Sequence, residues 1–235
     1  MFHNRNPQVI SLANTIGRSP NAVALKLCNF ASFDPHHKNR GIKGMQNASK
    51  LDRQIWEEFT NNWEECVFES EKLLAESQNR KIEEVTAERV TGQEEFLHKS
   101  GEDKIREIKT RVNQNFFRQI ILGNYLHSCA ICGLNISELL IASHVIPWSM
   151  NPKERLNPQN GICFCALHDK AFDRGFISVK TDYRIVISKQ LLEMQEQAYF
   201  PAYFGKYENA HMNLPDKFLP KPEFLEFHFQ KIFRR

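Results

Sequence analysis

Two pairs of metal-type side chains at one spacing, Cys129-x2-Cys132 and Cys165-x2-His168, constrain this chain more than any other feature. Tetrahedral structural zinc takes four Cys/His ligands, commonly as two short-spaced pairs, and binding them pins separate segments together. Cys28, Cys66, Cys129, Cys132, Cys163 and Cys165 are the six cysteines, and four of them fall between 129 and 165, close to histidines. The opening "MFHNRNPQVI" lacks the basic-then-apolar pattern of a secretory signal, and no apolar run is long enough to span a bilayer. The expectation is a cytoplasmic protein without membrane contact, whose clustered thiols bind metal and form no disulfides. Cys28, Cys66 and Cys163 read as buried free thiols.

The 235 residues, 41% hydrophobic, suffice for one large domain or two small ones. The net charge of +3 hides an asymmetry: residues 1–50 hold seven Lys/Arg against the single acid Asp34, while residues 51–105 hold seven basic and fifteen acidic side chains. Basic modules flanking an acidic middle suggest surfaces that meet a polyanion, with Arg18, Lys26 and Lys43 as contacts. "NPQVISLANTI" reads as a helix with Val9, Ile10, Leu12, Ala13 and Ile16 inside, and "NAVALKLCNF" as a second, capped by Ser19 or Asn21. Two helices about "GRSP" read either as a helix-turn-helix or as a hairpin that only packs. "SKLDRQIWEEFTNNWEECVFESEKLLAESQ" reads as one long amphipathic helix whose buried face carries Leu51, Ile55, Trp56, Phe59 and Trp63. The expected organisation is a helical basic module over 1–77, a charged linker or solvated helix over 78–105, and a further domain over 106–235. That last domain opens on a helix burying Phe116, Phe117, Ile120, Ile121 and Tyr125.

After residue 129 the texture changes. "CAICG" is a knuckle-like turn, "ELLIASHVIPW" a short apolar strand and "SMNPKERLNPQNG" a Pro/Asn-rich loop. "ICFCA" is a second strand, "LHDKAFDRG" starts a helix, and "FISV" with "RIVIS" forms a hairpin. The end reads as an extended arm and a short aromatic helix. On this frame Cys129-x2-Cys132, Ser143-His144, Asn160, His168-Asp169 and Asp173 resemble the HNH endonucleases, nucleases of the ββα-metal class. The resemblance covers 129–180. "ASHVIPW", "NGICFCALHDKAFDRG" and the lead-in "FRQIILGNY" are similar to the subgroup found in bacterial restriction-type HNH proteins, and "IGRSPNAVALKLCNF" resembles their front module. It implies an α+β chain: a helical N-terminal region followed by a treble-clef-like ββα-metal nuclease domain.

Hydrolysing a phosphodiester takes a deprotonated water and a positive centre against the charge that builds up. The resemblance makes His144 the general base and Asn160 the residue that ties the loop and holds that base. It places the catalytic Mg2+ or Mn2+ on Asp169 and Asp173, which four-residue spacing puts on one helix face. The family often carries a ligand before the base, where this chain has Ser143. Spacing favours two metals, with a structural zinc on Cys129, Cys132, Cys165 and His168. The rival division gives His168 to the catalytic ion with Asp173. Arg174 reads as a phosphate contact or as a helix-end charge.

The expected function is a metal-dependent endonuclease acting on DNA, double-stranded by preference, in restriction or anti-phage defence, with a homodimer as the natural way to cut both strands. The alternatives are a zinc-stabilised nucleic-acid-binding module without catalysis and a protein-interaction module.

Overall fold

A computed structural model describes residues 3–39, 48–82, 84, 85, 102–215 and 217–235. Lys43, with the rest of 40–47, and residues 86–101 of the expected linker lie outside the described residues. The chain divides into two compact units, residues 1–113 and 114–235.

The first unit is helical. Helix α1 (Pro7–Thr15) starts where the Asn6 side chain accepts from Gln8 N–H, and α2 (Pro20–Ala31) where Ser19 accepts from Ala22 N–H. In both a proline opens the helix, where its missing N–H costs nothing. Gly17, at φ +62°, makes the turn between them. The contact is small: Val9, Ala13, Val23 and Ala24, with Leu27 beside them. Of the side chains expected inside α1, Ile10, Leu12 and Ile16 are exposed, because α2 covers only the Val9–Ala13 stripe.

After the short α3 (Pro35–Asn39), the expected single long helix is two, α4 (Lys50–Asn61) and α5 (Trp63–Ser77). Asn62 breaks it at φ −143°, ψ 60°, ending one helix and opening the next. A capping box of Ser49 and Asp52 starts α4. Leu51 and Phe59, expected on the buried face, are exposed, and the side chain α4 buries is Asp52. Asp52 takes the Lys26 ammonium at 2.7 Å and the Asn29 amide at 3.2 Å, and Lys26 holds its carboxyl below the ordinary range.

Helix α6 (Glu102–Asn124) contributes its last turns to the second unit, with Phe117, Ile121 and Tyr125 buried and Phe116 and Ile120 half-buried. Strands β1 (Leu140–His144) and β2 (Gly161–Cys165) pair antiparallel, Leu140 opposite Cys165 and His144 opposite Gly161. Helix α7 (Ala166–Asp173) follows directly and packs on both strands. It ends on Gly175, at φ +70°, where Gly175 N–H donates to Phe172 O and Phe176 N–H to Ala171 O, both at 2.8 Å. A Cβ at Gly175 would lie 2.1 Å from Ile232 O, so glycine is required twice over. A second hairpin, β3 (Ile177–Val179) with β4 (Ile185–Ile187), leads to the short helices α8 (Lys189–Leu192) and α9 (Tyr199–Tyr203) and to α10 (Pro222–Lys231). The chain is therefore α+β, with its strand–loop–strand–helix unit in the C-terminal part. No helix among the described residues is long and apolar enough to cross a membrane.

Candidate active site

The knuckle is built by backbone. Gly133 adopts φ +72°, its N–H donates to Cys129 O at 2.9 Å, and Cys129 N–H donates to Leu134 O at 2.8 Å. This turns Cys132 back over Cys129. Ala130 N–H donates to Cys163 O at 2.7 Å, which ties the knuckle to β2. Cys165 ends β2 and is also the N-cap of α7, so the third helical residue, His168, turns back toward it.

The result is a four-ligand cage. His168 Nδ1 lies 3.2 Å from Cys165 Sγ and 3.6 Å from Cys129 Sγ, and Cys132 Sγ lies 3.9 Å from Cys165 Sγ. All four ligand atoms fall within 4.8 Å of one another. Two sulfurs bound to one zinc at about 2.3 Å stand about 3.8 Å apart in a tetrahedron, close to the 3.9 Å between Cys132 and Cys165, so the quartet could hold that ion. His168 Nε2–H donates to Tyr203 O at 2.9 Å, which leaves the lone pair on Nδ1, facing the sulfurs. Phe204 and Tyr207 meet the imidazole edge-on. The Cys165 thiol, hydrogen-bonded with Cys129 and partly desolvated, is pushed up to about 11, while the same hydrogen bond lowers Cys129. Cys163, buried on the same strand but outside the quartet, is pushed up to about 12 by burial.

His144 ends β1 in a tight setting. Its ring stacks on Phe117 at 3.9 Å and 12°, and Trp148 meets it edge-on at 5.4 Å. Its Nε2–H donates to Arg155 O at 2.9 Å, so Nδ1 keeps the lone pair. Burial lowers its pKa from the ordinary 6.5, and the Arg155 charge adds to this. Gly161 stands opposite, and a Cβ there would meet Ile121 and Phe117. Asn160, 1% exposed, laces the loop between the strands. Its Oδ1 accepts from Ile146 N–H at 2.8 Å, while Nδ2 donates to Ile146 O and Glu154 O, both at 3.1 Å. The carbonyl that holds His144 lies on the same loop.

Asp169 is buried on α7 and Asp173 exposed one turn later. Burial raises the Asp169 pKa, the Asp173 charge raises it further, and the adjacent Ser143 hydroxyl works the other way. Ser143 is 3% exposed on β1. Among the described residues no third His, Cys, Asp or Glu joins the two carboxylates, and no hydrogen bond or ion pair links them to His144. Two carboxylates with open positions suit Mg2+, which keeps waters and takes phosphate oxygens for the rest.

The basic residues separate. Arg18 is exposed, Lys26 is engaged by Asp52, and Arg174 is exposed as the C-cap of α7. Sequence reasoning read Phe117 as core and did not reach Trp148, Arg155, Gly161, Tyr203 or His228. No pattern marks the first four of these. His228 sits in the aromatic run "EFHFQ", and the structure buries it with Nδ1 2.8 Å from Ser178 Oγ and Nε2–H donating to Phe172 O at 3.2 Å.

With this geometry in place, comparison with known proteins adds one finding: residues 129–180 match the model of the HNH endonuclease family. The matched stretch begins on Cys129 and takes in the cage, His144, Asn160 and both aspartates. No curated protein gives a significant match to the chain.

Proposed function

We propose that this chain is a metal-dependent endonuclease that hydrolyses phosphodiester bonds in DNA, serving restriction or anti-phage defence. The observation that carries the reading is His144. A histidine held neutral by burial, with Nε2–H committed to a carbonyl and Nδ1 left basic, is prepared to take a proton from water. It lies within the stretch that matches the nuclease family. Asn160 keeps the loop, and hence the Arg155 carbonyl, in place. Asp169 and Asp173 would hold Mg2+ or Mn2+, which supplies positive charge to a phosphate in the transition state. Cys129, Cys132, Cys165 and His168 would hold a structural zinc, joining the knuckle to the start of α7. A homodimer would supply two centres for two strands.

Ser143 favours a second reading, a nucleic-acid-binding module without catalysis, because a hydroxyl stands beside Asp169 where the resembling nucleases often place a ligand. Nicking of supercoiled plasmid with and without Mg2+ or Mn2+ separates the two. His144→Ala is expected to lose on the order of a hundredfold to ten-thousandfold in rate while binding DNA as before. A wild-type protein that binds DNA but never nicks it would establish the second reading.

A further inference from the structure

A cavity of about 370 Å3 in the second unit is lined by residues of α7, α8 and α9. Its volume lies at the lower end of the range of about 300–1,000 Å3 usual for ligand pockets. The walls are mainly apolar and include the rings of Phe176, Tyr199 and Phe204. Leu167, Met194 and Tyr199 border it and are all exposed. Scattered exposed apolar residues are ordinary, but apolar residues gathered around a cavity mark a binding surface. Lys170 and Arg174, four residues apart and so on one face of α7 and its cap, line the same cavity. Arg234 adds a third cation at its edge: the guanidinium lies over the Phe176 ring, 4.5 Å from the centroid, and Nη1–H donates to Gln190 Oε1 at 3.0 Å. Both of those partners line the cavity, and no carboxylate does so among the described residues. Such a site suits a flat apolar body with an anion attached. Lys170 and Arg174 each follow one aspartate of the candidate metal pair, and both charges reach Asp173, so the cationic wall adjoins that pair.

We infer that this cavity takes one unstacked base of the DNA substrate, with the adjoining phosphate on Lys170 and Arg174. This rests on the endonuclease reading and adds to it a pocket that touches substrate next to the candidate metal carboxylates. A base inside a duplex does not reach such a cavity, so the nucleotide is turned out of the stack or is already unpaired. Stacking on aromatic rings tolerates any base, because every base has a π-face. The lining offers little to read a base edge, since the Gln190 carbonyl oxygen already accepts from Arg234. Arg174 also suits a helix C-terminus, but a helix end needs no cavity beside it.

The test measures binding of the full-length protein to two duplexes of one sequence, without added Mg2+ or Mn2+ so that cleavage does not intervene. One duplex carries a single-nucleotide bulge, and the other carries the same bulge with its base removed. The phosphates are the same in both, so the difference in affinity reports the base. Wild type should bind the base-bearing bulge more tightly by about fivefold to a hundredfold. Tyr199→Ala should lose most of that preference. Met194→Trp, which fills the cavity and serves should the alanine variant fail to fold, should lose it too. Lys170→Gln with Arg174→Gln should weaken binding to both duplexes and reduce the salt slope by roughly 2. Equal affinity of wild type for the two bulges, or a preference that survives both Tyr199→Ala and Met194→Trp, overturns the base pocket. An unchanged salt slope overturns the phosphate contact. Free deoxyadenosine monophosphate bound as tightly as the bulge would give the cavity to a small-molecule ligand and overturn the substrate assignment. A wild-type protein that nicks plasmid without telling the bulges apart loses only the base pocket. One that tells them apart and never nicks loses the endonuclease reading instead.

Discussion

Gly161→Ala should disturb His144, the proposed base, without touching it. The added Cβ would stand 2.3 Å from Ile121 Cδ1, 2.7 Å from Ile121 Cγ1 and 2.7 Å from Phe117 Cζ. Carbon atoms settle at about 3.5 Å or more, so Ile121 must retreat by roughly 1.2 Å and Phe117 by roughly 0.8 Å. Ile121 is 0% and Phe117 2% exposed, so both would move into filled space. Overpacking of this kind costs about 1–3 kcal/mol. The displacement does not stop there, because the Phe117 ring is stacked on His144 at 3.9 Å. A base shifted by about 1 Å loses roughly a hundredfold in rate. Thermal melting and single-turnover plasmid nicking, run on the same preparation, read the two effects. Adding Ile121→Val removes the closest atom and should recover part of both. A Gly161→Ala protein with wild-type melting temperature and wild-type rate would refute the chain of contacts from Gly161 to His144.

Two further predictions concern the metals and pH. His168→Ala should lose zinc by elemental analysis and lose melting temperature with it, whereas Asp173→Ala should keep both and lose nicking; identical profiles for the two variants would mean that the ligands are wrongly divided. His228, 1% exposed, is held by burial at about 4 against an unfolded value near 6.5, so its neutral form stabilises the fold fully above about pH 6.5. That contribution is lost as pH falls from there through 4, to a total of about 3 kcal/mol. Asp169 and Asp173, raised in the fold, act in the opposite sense, so the comparison is wild type against His228→Gln at each pH. The gap in denaturant-unfolding free energy should shrink on acidification, and a gap independent of pH between 7 and 4 would contradict it.

The sequence announced the second unit far more clearly than the first, for a physical reason. A zinc-type quartet, a strand period of two and a Gly-terminated helix are strong local constraints, and 129–175 carries all three. The N-terminal helices carry only amphipathic periodicity, which says that a face is apolar and not whether a neighbour covers it. Hence Val9 and Ala13 are buried while Ile10, Leu12 and Ile16 are not. Asn62 looked like one more polar residue on a helix surface, and Asp52 like an ordinary cap; the Lys26 and Asn29 partners that bury it lie far away in sequence. The residues around His144 were illegible for the same reason. A stacking phenylalanine, an arginine whose carbonyl accepts from the imidazole and a glycine opposite His144 are each common residues, and only their juxtaposition has meaning.

The contacts around the candidate site also decide how much chain it needs. The family-matching stretch ends at 180, yet three of its supports come from outside. Phe117 and Ile121 of α6 fill the space that Gly161 leaves, and Phe117 stacks on His144. The Tyr203 carbonyl takes the Nε2–H of His168 and so aims Nδ1 at the sulfurs. His228 stacks on Phe172 at 3.6 Å and bonds to its carbonyl, while Ile232 O closes over Gly175, so α10 clamps the far end of the helix that carries Asp169 and Asp173. A strand–loop–strand–helix piece of this size has too little core to hold such groups in place by itself. The unit that should fold and act is therefore 114–235, with the flanks serving as the outer layer of the site.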